Sequence, residues 1–182
     1  EAHIVTMRLG DFFMGALHPM TDPIDWLVWF GIALLGARAG AQTSRWLIVT
    51  VPTSLALGLW LTVVTARVAP AVLTDALPLM SVGLLLASAW RLGLVTLLAA
   101  AAILMLLRGM ANAAGLRLGA EVGLYAAGLA GAGYVAITLL AALVLKGAAD
   151  DAAPAWRRIA VRVLGSWLAA AGLMLLALGL RG

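Results

Sequence analysis

Gly15-Ala16-Leu17-His18-Pro19-Met20-Thr21-Asp22-Pro23-Ile24-Asp25-Trp26 places an imidazole, two carboxylates and two prolines in twelve residues of an otherwise almost uniformly apolar chain. Each proline removes a backbone donor and crowds the preceding turn. The stretch therefore predicts a break in a helix. Groups other than lipid must then satisfy the freed carbonyls.

On its N-terminal side, residues 4 to 18 carry Arg8 and Asp11 and are too polar for an ordinary lipid-facing span. They read as a short helix or a re-entrant piece. On its C-terminal side, Ile24 to Ala37 falls short of the ~20 apolar residues that cross a bilayer, so it spans only if joined to part of the broken segment. Further apolar runs cover Trp46 to Ala66, Leu77 to Trp90, Leu92 to Leu107, Val122 to Leu145 and Ile159 to Leu180. The expected architecture is an all-α integral membrane protein, a bundle of about six transmembrane helices with a broken N-terminal segment, forming a single polytopic domain over residues 1–182. The short third and fourth spans, divided by Arg91, predict a tight helical hairpin. Pro52 lies inside the second span, Pro70 and Pro78 near the third, and Pro52 predicts a kink unless neighbours cover the lost bond.

Composition supports this class: 64% of residues are hydrophobic and 11% charged, with a mean hydropathy of +1.08. A soluble domain of this length does not look like that. Long Leu/Ala/Val/Gly runs without alternation select helices over a barrel. Cysteine is absent, which removes disulfides and thiolate ligands. A net charge of +4 does not indicate nucleic acid, because the arginines stand singly between apolar runs and read as membrane anchors. Trp46, Trp90 and Trp156 fall near helix ends and suit the headgroup layer. Gly123, Ala127 and Gly131 recur every four residues and predict a close-packing face, within the bundle or toward a partner.

With six spans, Arg38, Arg45, Arg91, Lys146, Arg157, Arg158 and Arg162 fall on one side and Arg8, Arg67, Arg108, Arg117 and Arg181 on the other. The first group is the larger, which makes its side cytoplasmic. Glu1 at the first position fits either a removed signal peptide or numbering that begins within a longer chain, and the former agrees with an outer N-terminus. Glu1, Asp11, Asp22, Asp25, Asp75 and Glu121 then gather on the outer side, with Asp150 and Asp151 inside. Such a mouth either attracts cations or is simply a solvated set of loop carboxylates.

His18 follows Met14 and Met7 at helical spacing, a thioether and imidazole set that suits Cu(I), with His3 as a further imidazole. With Asp22 and Asp25 it suits a harder divalent ion such as nickel. The plainer reading is a hydrogen bond from His18 to a carbonyl freed by Pro19 or Pro23. Asp25 opens the first full span, where a carboxylate needs protein or water around it. Asp75 and Glu121 precede helices and read first as caps. No nucleophile with a base, phosphate-cradling loop or basic aromatic patch is visible, so no enzymatic residue set is expected.

Gly15 to Leu35 resembles the first signature of the HupE/UreJ family, Gly-x-x-His-Pro-x-x-Gly-x-Asp-His followed by an apolar span. His18, Pro19 and Asp25 match; Asp22, with Pro23 beside it, stands for the glycine, and Trp26 for the second His. Val51-Pro52 is similar to a Leu-Pro of relatives, and Asp75 with Ser81-Val82 to their Val-Glu then Ser-Val. Leu107 to Ala113 resembles the second signature, His-Gly-x-Ala-His-Gly, with Arg108 and Asn112 at its His positions.

The resemblance implies a bacterial inner-membrane protein with a cleaved leader, associated with nickel supply to hydrogenase or urease and viewed as a nickel or cobalt permease. Carried over, the metal-site residues are His18, Asp22, Asp25 and Asp75, with Asn112 and His3 as lesser members. Arg108 repels a divalent cation and calls for a partner, Asp25 or Glu121. The leading expectation is an accessory or structural subunit of a larger membrane assembly. A divalent-metal permease comes second and a copper-handling protein third.

Overall fold

The computed structural model describes residues 2–88, 90–148 and 155–181, with side-chain surroundings for 9–88, 90–146 and 156–181. His3, Met7, Asp150 and Asp151 carry expectations that lie outside the described side chains. Among the described residues there are helices and no strands. They are α1 (Ala2–Thr21), α2 (Pro23–Ala39), α3 (Ala41–Thr65), α4 (Leu77–Ser88), α5 (Leu94–Asn112), α6 (Val122–Ala148) and α7 (Ala155–Gly179). A π-helical turn, Val72–Ala76, leads into α4, and a 3-10 turn, Ala113–Gly115, ends α5.

Among the described residues, four segments are long and apolar enough to cross a membrane: Ala41–Thr65, Leu94–Gly115, Val122–Lys146 and Trp156–Gly179. Val72–Ser88 is a shorter apolar helix. The expected six spans all coincide with helices, but length and apolarity support four of them as crossing segments. Exposed Leu57, Val64, Ile103, Leu139, Leu143 and Leu173 cover the outside of these helices, which suits hydrocarbon and not water.

The N-terminal break differs from expectation. α1 is a helix of 20 residues that runs through Pro19 and ends at Thr21. Pro19 is tolerated because it lies in the last turn, where side chains cover carbonyls that the ladder leaves free. The Thr21 hydroxyl donates to His18 O at 2.8 Å, and Trp26 Nε1 donates to Met20 O at 3.1 Å. Asp22 alone makes the break: its carboxylate accepts from Ile24 N at 2.8 Å, capping α2, and Pro23 sits at the start of the helix where its missing donor costs nothing.

α2 is the centre of the bundle. Val28, Trp29 and the unbroken run Gly31 to Gly36 are buried, so this helix is apolar all round and enclosed by its neighbours. It touches α1, α3, α4, α5, α6 and α7. Around it, the outer helices associate in pairs: α3 with α5, α4 with α7 and α1 with α6. The expected α4–α5 hairpin is therefore absent; these two meet only marginally, because α4 lays its glycine face on α7.

Close backbone approach marks all three of these seams, with Gly83 of α4 set against the α7 backbone at Ala169. A Cβ on Gly58 would lie 2.0 Å from Leu106 O, and one on Gly109 would lie 2.1 Å from Leu55 O, so α3 and α5 interlock reciprocally. Gly15 and Gly128 join α1 to α6 in the same way, each meeting a backbone carbonyl at 2.0 Å. The expected packing stripe of α6 is corrected by this. Ala127 is exposed, and a Cβ on Gly131 would meet nothing within 4 Å; the contact face is carried by Gly128, one residue round the helix. Pro52 is buried within a continuous α3, where Thr53 Oγ1 donates to Val49 O at 2.8 Å in the adjoining turn.

Candidate functional site: a buried arginine among three carboxylates

α5 presents Arg108 and Asn112, one helical turn apart and so on one face. Both are buried, and the Arg108 side chain has 0% exposure. A lone guanidinium at this depth is costly unless its charge and donors are met. Here they are met by residues from two other elements.

Arg108 Nε donates to Asp25 Oδ1 at 2.7 Å, in the first turn of α2. Nη1 donates to Thr74 O at 2.9 Å and to Asp75 Oδ1. Nη2 donates to Asp22 Oδ2. Each guanidinium nitrogen thus faces a different carboxylate. The π-helical turn explains the Thr74 contact, since it departs from the regular ladder beside Asp75.

A second tier holds this arrangement. Asn112 Nδ2 donates to Asp25 Oδ2 at 2.9 Å and to Arg108 O at 2.9 Å, so both Asp25 oxygens are engaged. The Tyr125 hydroxyl of α6 donates to Asn112 O at 2.9 Å, satisfying the end of α5. His18 packs across Gly115 from Tyr125: a Cβ on Gly115 would lie 2.4 Å from the Tyr125 hydroxyl and 2.7 Å from His18 Nδ1. Only a glycine lets the chain pass between these two rings.

The carboxylates outnumber the guanidinium three to one, leaving two formal negative charges in excess when all are ionised. Asp25 is fully enclosed, whereas the Asp22 and Asp75 side chains keep 32% and 29% exposure. The excess charge therefore faces outward from the helix ends. Asn112 Oδ1 is buried without a donor, and Trp29 Nε1 is buried without an acceptor.

Of the residues singled out in the sequence, Asp22, Asp25, Asp75 and Asn112 converge on one point, and His18 stands next to Tyr125 beside it. Among the described residues no three His, Asp or Glu side chains form a group able to hold a metal ion. The donor set explains this, because a guanidinium separates the carboxylates. Asp75, read as a cap, is an ion-pair partner. Of the two partners expected for Arg108, Asp25 is found; Glu121 is not in the cluster, and its backbone N–H donates to Asp11 Oδ2 at 2.9 Å. The His18 imidazole makes no hydrogen bond to the described residues, so the carbonyls freed near Pro19 are served by Thr21 and Trp26 instead. Trp26 turns its indole to Met20 O and lies along the α1–α6 groove. Thr74 and Tyr125 carried no sequence signal that would have placed them at the site.

The HupE / UreJ protein family model matches residues 1–175. The chain belongs to the HupE/UreJ family. Comparison with curated proteins and with solved structures finds no match. Within this family member, the expected break lies at Asp22, and Arg108 bonds directly to it.

Proposed function

We propose that this HupE/UreJ protein is an accessory or structural subunit of a larger membrane assembly in the bacterial inner membrane, with its N-terminus on the periplasmic side. One observation carries the reading: the Arg108 guanidinium sits where a cation would have to sit, bonded to Asp22, Asp25 and Asp75. An arginine is permanently charged and cannot leave the protein, so it neutralises the carboxylates without being cargo. The arrangement binds helices α2 and α5 and the π-turn together, which is structural work.

A second reading, a nickel or cobalt permease, draws on a different observation. Two negative charges remain in excess, Asp22 and Asp75 are partly exposed, and Asn112 Oδ1 is free. His18, Asp22, Asp25, Asp75 and Asn112 would then attract a divalent cation as substrate, with Arg108 displaced or sharing the carboxylates.

Metal quantification in the purified protein, with nickel uptake by cells carrying wild type, His18→Ala or Asp25→Ala, separates the two. The accessory reading expects no stoichiometric metal and unchanged uptake, together with co-purification of a large membrane enzyme in mild detergent. Stoichiometric nickel, with uptake lost in both variants, overturns it in favour of transport.

A further inference from the structure

The opposite end of the bundle carries a second polar centre, made of arginines. Arg38 at the end of α2 donates from Nη1 to Leu86 O at 3.2 Å, and Arg162 of α7 donates from Nε to Ala87 O at 3.2 Å. Both cover the last carbonyls of α4 and cancel the negative end of that helix. Arg91, in the turn between α4 and α5, makes no hydrogen bond to the described residues. Arg91 and Arg162 lie close enough to Arg38 to repel its charge. Among the described residues, no carboxylate pairs with any of the three.

Arg38 and Arg91 border a cleft of about 200 Å³, lined also by Leu35, Trp90, Leu92 and Leu97. α5 begins here behind Gly93, which offers no side chain to cap the first-turn amides. The cleft thus combines two guanidinium groups with spare donors and an exposed indole suited to the headgroup layer. Leu35, Leu92 and Leu97 supply an apolar floor. Arg38 and Arg91 carry like charges on the walls of one cleft, and an anion between them relieves their repulsion.

We propose that this cleft is a binding site for a phosphate anion, presented by the headgroup of an anionic phospholipid or by free phosphate. A guanidinium pair matches the oxygens of a phosphate, and the apolar floor accommodates the glycerol and first methylenes of a lipid. The occupied site would tie α2 to α5 and to the turn that precedes it, at the end remote from Arg108.

Native mass spectrometry of the full chain in detergent, titrated with phosphatidylglycerol or phosphatidylcholine, tests this. Phosphatidylglycerol is expected to bind more tightly than phosphatidylcholine, and Arg91→Gln to weaken it about fivefold, the scale of one basic residue at a lipid surface. Arg91 holds no structural hydrogen bond, so this variant keeps the fold; Arg38→Gln gives a second reading. Displacement of phosphatidylglycerol by millimolar inorganic phosphate assigns free phosphate to the same cleft, and no displacement assigns it to the lipid headgroup. Equal binding of the two lipids, or phosphatidylglycerol binding unchanged in Arg91→Gln and Arg38→Gln, overturns the proposal.

Discussion

Arg108 Nε donates to Asp25 Oδ1 at 2.7 Å with both side chains at 0% exposure, joining residues 83 positions apart in the chain. Removing one member leaves the other as an uncompensated buried charge. Arg108→Met or Asp25→Leu is therefore expected to destabilise the protein by about 3–5 kcal/mol, read as a drop in thermal unfolding temperature in detergent. The double variant Arg108→Met/Asp25→Leu should lose much less than the sum of the two. Simple additivity would show that the pair is not energetically coupled.

Replacing the guanidinium with a ligand tests whether the three carboxylates form a latent metal site. Arg108→His puts an imidazole where the charge sat, among Asp22, Asp25 and Asp75. Stoichiometric Ni²⁺ or Co²⁺ binding is expected by titration calorimetry, absent in wild type. Trp26→His adds nothing to it, because that ring points at Met20 O; an affinity gain from Trp26→His alone would show that the break is arranged differently.

The α3–α5 seam depends on two glycines set against carbonyls of the facing helix. Gly58→Leu or Gly109→Leu forces those backbones apart, because an added Cβ would lie 2.0 and 2.1 Å from the facing carbonyl oxygens. A loss of about 1–3 kcal/mol is expected. Gly131→Leu, with nothing within 4 Å, is the control and should unfold at the wild-type temperature.

Tyr125→Phe deletes one hydroxyl that donates to Asn112 O at 2.9 Å. The buried carbonyl loses its cross-helix donor, at a cost of about 1 kcal/mol. Amide hydrogen exchange should quicken in residues 112–116, with α3 and α7 unchanged. Uniform exchange across the chain would place the hydroxyl outside the support of this turn.

Much of the local structure was legible in the sequence. The apolar runs lie within the helices that form, and the break near Pro19 and Pro23 is real, although it falls at Asp22. Its position differs because α1 takes Pro19 into its last turn and continues to Thr21, where Thr21 and Trp26 cover the end carbonyls of His18 and Met20. Of the six expected spans, four are long and apolar enough to cross a membrane among the described residues, and α2 is not one of them. α2 is apolar because it is enclosed by protein, and burial in a bundle and burial in lipid leave the same hydrophobic run.

The site was legible as a set of residues and not as an arrangement. Asp22, Asp25, Asp75 and Asn112 stood out as polar positions in apolar surroundings, and Arg108 demanded a partner. That one guanidinium engages three carboxylates depends on a π-turn at Val72–Ala76 that no local signal announced. Conversely, arginines at 38, 91 and 162 looked like isolated anchors and are neighbours in space.

By itself, the sequence determined the helical membrane class, the family and the residues that carry charge into the bundle. These follow from sums along the chain: twenty apolar residues favour lipid, a proline ends a turn, and a buried ion needs a counter-ion. Only the tertiary structure decided that α4 pairs with α7 and not α5, that α2 is the core, and that Arg108 occupies the centre of the carboxylates. Those outcomes depend on which glycine faces let two backbones meet, a property of complementary surfaces far apart in sequence.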